Sequence, residues 1–274
     1  MDNLELLFSK NNIYSATRTE VRNGNFVFRQ RDNVVNARSL RTMIRFVNTL
    51  LTKYPNAKLP IVFDMGRALF FDKLTYIIFE CLCDYLIEDC GYKVRVTFSP
   101  QTKIHTAGIK SSPLWLLTTG QEEHISKFKK SFNFEIYKNH YRRVLTKQNL
   151  TQPEFLCKMM DDVATFQKLY NIDVGYREAI AEVIVELIGN ASEHGGSNCL
   201  VDFDIAPSYY REGSDAEFFG LNLAIVNFSD QLLGTALEDK IKNADLHGDR
   251  YKAVRMAYSN HTKFFNENYT EALI

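Results

Sequence analysis

A carboxylate and a carboxamide one helical turn apart, Glu186 and Asn190, are the pair in this sequence best suited to chemistry. At that spacing two side chains stack on one face of a helix. The carboxylate can orient or deprotonate a water. The amide oxygen can ligate magnesium, which prefers oxygen donors and keeps several waters. Glu182 one turn earlier and Glu193 or His194 one turn later extend the polar row. Ile180, Ile184, Leu187, Ile188 and Ala191 recur at helical spacing and predict a core-facing stripe on the other side. Gly195-Gly196 then offers the residue type that ends helices in the left-handed conformation. An amphipathic surface helix with a glycine stop explains the same pattern without chemistry, so two readings stand.

Glu186-x-x-x-Asn190 resembles the N-box of the GHKL ATPase superfamily, shared by gyrase, heat-shock chaperones, histidine kinases and mismatch-repair proteins. The following Glu193-His194-Gly195 is similar to the anti-sigma-factor serine kinase branch. The resemblance covers about the last hundred residues and implies ATP and magnesium as cofactors. By it, Glu186 is the general base or water-orienting group, Asn190 holds magnesium on the phosphates, and His194 and Gly195 lie near them. The family's next long strand ends in Asp-x-Gly-x-Gly, whose Asp accepts the adenine amine. Here Asn227-Phe228-Ser229-Asp230-Gln231 stands in that place. The Asn227 oxygen can accept the same hydrogen bond, and Asp230 could serve in a shifted register. Ser229 and Gln231 crowd an approach that glycines leave open. The second glycine box is absent, and no glycine follows Gly248. The expectation is an ATPase module incomplete at its C-terminus, with triphosphate binding weakened by the missing backbone amides.

Other elements must position this helix. Asn25 to Gln30, Leu59 to Met65 and Lys93 to Phe98 read as strands. Asn36 to Tyr54 and Lys73 to Asp89 read as helices between them, the second with Asp72 as N-cap. Strand, helix and strand at this spacing predict right-handed crossovers in a mostly parallel sheet. The order resembles the STAS-type domain of anti-sigma-factor antagonists, although Lys73 and Leu74 follow Asp72 where that family carries its phospho-acceptor. Trp115-Leu-Leu suggests a short buried element. A domain boundary near Gln148 gives an N-terminal STAS-like α/β domain, 1–147, and a histidine-kinase-like (Bergerat) two-layer ATPase domain, 148–274. In the second, Thr151 to Tyr170 and a stretch from Tyr176 form two helices, followed by strands Cys199 to Ile205 and Phe219 to Val226 around a polar loop, Pro207 to Glu217. Leu237 to Leu246 and Tyr251 to Phe265 read as further helices.

Bulk properties narrow the partners. The 274 residues are 45% hydrophobic, which suits one large or two ordinary cores, and 33 basic residues balance 33 acidic ones. That balance gives no general attraction to nucleic acid or anionic membrane. A local basic-aromatic stretch, Lys127 to Lys147, could serve single-stranded nucleic acid, and a strand face with snorkelling side chains explains it as well. Five cysteines without a Cys-x-x-Cys pair predict buried reduced thiols at Cys81, Cys83 and Cys90. Asp72, Lys73, Glu80 and Asp84 interrupt the longest apolar run, which argues against a membrane span, and no signal peptide is evident. The resulting expectation is a cytoplasmic α/β (α+β) regulatory protein whose nucleotide state gates association with a partner or a second copy, in bacterial signalling or phage defence by family analogy. A serine kinase acting on a STAS-type partner and an interaction scaffold without nucleotide are the alternatives.

Overall fold

A computed structural model describes residues 19–70, 73–99, 113–137, 140–168, 172–195, 197–205 and 220–229. It also describes 4, 8, 209, 210, 212, 213, 215, 217, 218 and 256. The chain divides into two compact units, residues 1–228 and 229–274, and every element below belongs to the first.

The N-terminal sheet starts with a hairpin, β1 (Glu20–Arg22) and β2 (Asn25–Arg29). Its turn is Asn23-Gly24, both at positive φ (49° and 70°), the backbone that matches strand twist in a two-residue hairpin. After the short β3 (Val34–Val35), α1 (Ala37–Lys53) begins where the Asn36 side chain accepts from the Ser39 amide at 3.1 Å. It buries Met43, Phe46, Val47 and Leu50. β4 (Ile61–Gly66), the short β5 (Leu69–Phe70), α2 (Lys73–Glu88) and β6 (Val94–Phe98) follow. The sheet order is β1-β2-β4-β6, with β2, β4 and β6 parallel, so the expected crossover units are present. The Trp115 segment is a 3₁₀ helix, Pro113–Thr118, that buries Leu114 and Leu117.

Helix α2 is apolar nearly all round, and such a helix must be covered on all sides. One side meets the N-terminal sheet, where Phe79 stands edge-on to Phe63 at 5.2 Å. The other side carries Lys73, Glu80 and Asp84 and meets a second sheet. Charges that interrupt an apolar run in the sequence are, in the fold, a row on one buried face.

The second sheet is antiparallel, in the order β12-β9-β8-β7. α3 (Glu122–Asn133) leads into the hairpin β7 (Phe134–Tyr137) and β8 (His140–Leu145). Next come α4 (Lys147–Leu150), α5 (Pro153–Lys168), α6 (Val174–Gly195) and β9 (Cys199–Ile205). The predicted loop from Pro207 contains a small hairpin, β10 (Tyr209–Tyr210) and β11 (Glu217–Phe218), before β12 (Leu221–Asn227). The sheet beyond α6 therefore recruits a hairpin from before Lys147. α5 and α6 cover one face, where Val163, Phe166, Ala181, Ile184 and Ile188 pack with Val201, Phe203 and Ile205. Leu200 and Val226 point to the other face and join the N-terminal core. Because both faces are covered, all seven residues of β9 are buried.

One sequence expectation needs correction. The core stripe of α6 runs through Ala181, Ile184 and Ile188 with Ile180 half-buried, whereas Leu187 is 43% exposed. Leu187 lies at the margin of the apolar arc, away from the side on which Ala181, Ile184 and Ile188 meet the sheet. In the basic-aromatic stretch, several of the described cations are buried or paired. His140 and Arg142 are buried, Arg143 pairs with Asp162, and Lys127 and Lys129 pair with Glu123 and Glu88. Cys81 and Cys83 are buried and free, while Cys90 is half-buried. Asp72 lies outside the described residues, as do the helices read over 237–246 and, Met256 apart, 251–265.

Candidate functional site

The α5–α6 hairpin sets the geometry of the first candidate. Ile184 and Ile188 anchor α6 to the sheet, so residues on its far side must face solvent. Glu182, Glu186 and Asn190 are all exposed there. They share that side with Val183, 58% exposed, and Leu187. A groove of about 540 Å³ runs beside them, lined by Met160 of α5 and by Glu182, Val183, Val185, Glu186 and Leu187 of α6. Its walls are apolar, with two carboxylates at the edge.

The other expected residues fall around the end of the same helix. His194 and Gly195 belong to the last turn of α6, and their side chains are outside the described set. Asn227 ends β12 opposite Cys199, and its Oδ1 accepts from Ser197 Oγ at 2.7 Å. Ser197 follows α6 by two residues, so antiparallel pairing of β9 and β12 brings Asn227 to the C-terminal end of that helix. Asp230 lies outside the described residues.

Does this donor set suit a magnesium nucleotide? Among the described residues no group of three or more His, Cys, Asp or Glu could hold a metal ion. A magnesium ion on phosphates takes most of its ligands from phosphate oxygens and water, so one or two protein oxygens suffice. An exposed carboxylate and amide one turn apart meet that requirement.

The second candidate escaped the sequence reading. Facing α2, β8 and β9 present His140, Arg142, Asp202 and Asp204, all buried. Arg142 donates from Nε to Asp202 at 2.6 Å and from Nη2 to Glu80 at 2.5 Å, with its guanidinium over the Phe132 ring. Lys73 pairs with Asp204 and with Asp202, the latter at 2.7 Å. Asn222 donates to Asp204 at 2.9 Å. His140 Nε2 lies 2.8 Å from Asp202, and its Nδ1 lies 3.3 Å from Glu135, an ion-pair contact poorly aligned for hydrogen bonding.

Charge balance explains how the cluster is tolerated in the interior. Burial alone would lower the His140 pKa, but the Asp202 carboxylate, with help from Glu135, raises it to about 9. Burial would likewise raise Asp202, yet Arg142 and His140 hold it well below the usual carboxylate range. The cations Lys73, Arg142 and protonated His140 thus meet the buried anions Glu80, Asp202 and Asp204, with Glu135 a further carboxylate beside His140. Asp84, one turn beyond Glu80, is different. Burial and the neighbouring Glu88 and Asp89 push it up to about 7, and its Oδ1 has no partner. A signal for this cluster did exist in the sequence. Strand residues Asp202 and Asp204 alternate with apolar ones, and α2 carries charges at positions 73, 80 and 84. Only the pairing of β9 with β8 under α2 joins the two patterns.

Among the described residues no helix is long and apolar enough to cross a membrane. No protein-family model, curated protein or solved structure matches this chain.

Proposed function

We propose that this chain is a cytoplasmic regulatory protein that binds magnesium ATP along α6, and that its nucleotide state gates association with a partner protein. The observation that carries the reading is the exposure of Glu186 and Asn190 on one side of α6, beside a groove, while Ile184 and Ile188 hold the helix in the core. Magnesium would neutralise the phosphates and polarise their oxygens. Asn190 would supply an amide oxygen to it, and Glu186 would hold or deprotonate a water one turn away. Asn227, near the helix end, is the residue that the family resemblance assigns to the adenine amine.

A scaffold without nucleotide is the second reading. The apolar lining of the groove, with Val183 and Leu187 exposed, favours it. Isothermal titration separates the two. The nucleotide reading expects weak, magnesium-dependent ATP binding that Asn190→Ala abolishes without changing the melting temperature of the free protein. Absence of heat with both ATP and ADP would leave the scaffold.

A further inference from the structure

The solvent side of α6 carries two parallel ridges. Tyr176, Ile180, Val183 and Leu187 recur at steps of four, three and four residues. That is the spacing of a helix–helix seam. In this fold the ridge lies outside the core: Tyr176 is 71% exposed, Val183 and Leu187 are exposed, and only Ile180 is half-buried. Beside it, Glu178, Glu182 and Glu186 stand at four-residue steps, all exposed. Like charges at that spacing destabilise a helix. Among the described residues none of the three has an ion-pair partner. The buried cluster on the other face of the sheet, by contrast, pairs its carboxylates with cations.

We infer that this face of α6 docks an amphipathic helix of a partner protein, whose apolar residues fill the seam and whose flanking Lys or Arg residues pair with Glu178 and Glu182. The groove beside Met160 gives the seam its depth. Helix-in-groove recognition needs apolar anchors at three- and four-residue spacing and complementary charge on the flank. The ridges supply the first and demand the second. A second copy of this chain fits less well, because two α6 helices laid antiparallel would set one glutamate row against the other. The inference does not rest on nucleotide binding, and its test is run without nucleotide.

The test uses the full chain and two designed helical peptides with the same leucine seam, one flanked by lysines and the other by glutamates. Fluorescence anisotropy should show saturable binding of the lysine peptide and at least about tenfold weaker binding of the glutamate peptide. Val183→Asp and Leu187→Asp should each weaken the lysine peptide by about tenfold or more, with the melting temperature of the protein unchanged. Glu178→Gln with Glu182→Gln should weaken it and flatten its dependence on salt. No binding of the lysine peptide, equal binding of both peptides, or indifference to Val183→Asp and Leu187→Asp would overturn the proposal. So would sedimentation showing a wild-type dimer that Leu187→Asp dissolves, which would assign the face to self-association.

Discussion

The α2-facing side of the second sheet and the solvent side of α6 hold similar residue types in opposite circumstances. Asp202, Asp204, Glu80 and Arg142 carry full charges and are buried. Val183 and Leu187 are aliphatic and exposed. Polarity therefore does not decide burial here; the completeness of pairing does. Each charge in the buried cluster meets an opposite one within hydrogen-bond reach, which offsets much of the cost of leaving water. On α6 the carboxylates meet no cation among the described residues and stay in solvent, where water screens them. The first side joins two layers of the fold, and the second is left for a ligand or partner.

Breaking the balance on the buried side should have the largest effect. Asp202→Ala removes a shared partner of Lys73, Arg142 and His140 and leaves uncompensated buried charge. A loss of about 3–5 kcal/mol is expected in urea unfolding. Arg142→Met combined with Asp202→Ala should cost less than the sum of the single changes, since the two share one interaction. A loss under about 1 kcal/mol for Asp202→Ala would mean that packing, and not charge pairing, holds α2 to β8 and β9.

Alkaline pH should come next. His140 has a folded pKa raised from 6.5 to about 9, so it binds its proton more tightly in the folded protein. Its stabilisation is complete below pH 6.5 and is lost as pH rises through about 9, amounting to about 3 kcal/mol. Wild type should lose stability over that window, and His140→Gln should be flat across it, as read by chemical unfolding at successive pH values.

Asp84 acts in a lower window with an effect of the same order. Its carboxyl is raised from 3.8 to about 7, so the protonated form suits the fold and stability declines as pH climbs between those values. Asp84→Asn should leave stability near pH 4 unchanged and raise the melting temperature at pH 8. An unchanged melting temperature at pH 8 would show that Asp84 finds a partner once ionised, with the unpartnered Arg142 Nη1 as the available donor.

The smallest effect on stability belongs to α6. Glu186→Ala and Leu187→Ala alter exposed side chains and should each shift unfolding by less than about 0.5 kcal/mol. For Glu186→Ala the informative readout is ATP turnover, which should fall about a hundredfold or more while ATP affinity changes little. Equal loss of both would make Glu186 an organiser of the site.

The amino-acid sequence by itself determined the local elements. Alternating and periodic apolar residues located β2, β4, β6, β9 and β12 and the helices α1, α2, α5 and α6, because period two and period 3.6 follow from backbone geometry alone. It also put Glu186 and Asn190 on one side of a helix, a matter of spacing. The hairpin of β7 and β8 was hidden, because its inward-facing residues include His140 and Arg142, which mimic a surface strand. Which face each element would bury was a tertiary decision. Leu187 reads as core and lies outside it, since the sheet under α6 engages Ala181, Ile184 and Ile188. Asp202 and Asp204 alternate with apolar residues along β9 and are buried, since a partner they share, Lys73, comes from α2, more than a hundred residues earlier in the chain. Hydrophobic periodicity reports the burial each element can support, whereas charge pairing across layers depends on contacts between segments that no local pattern records.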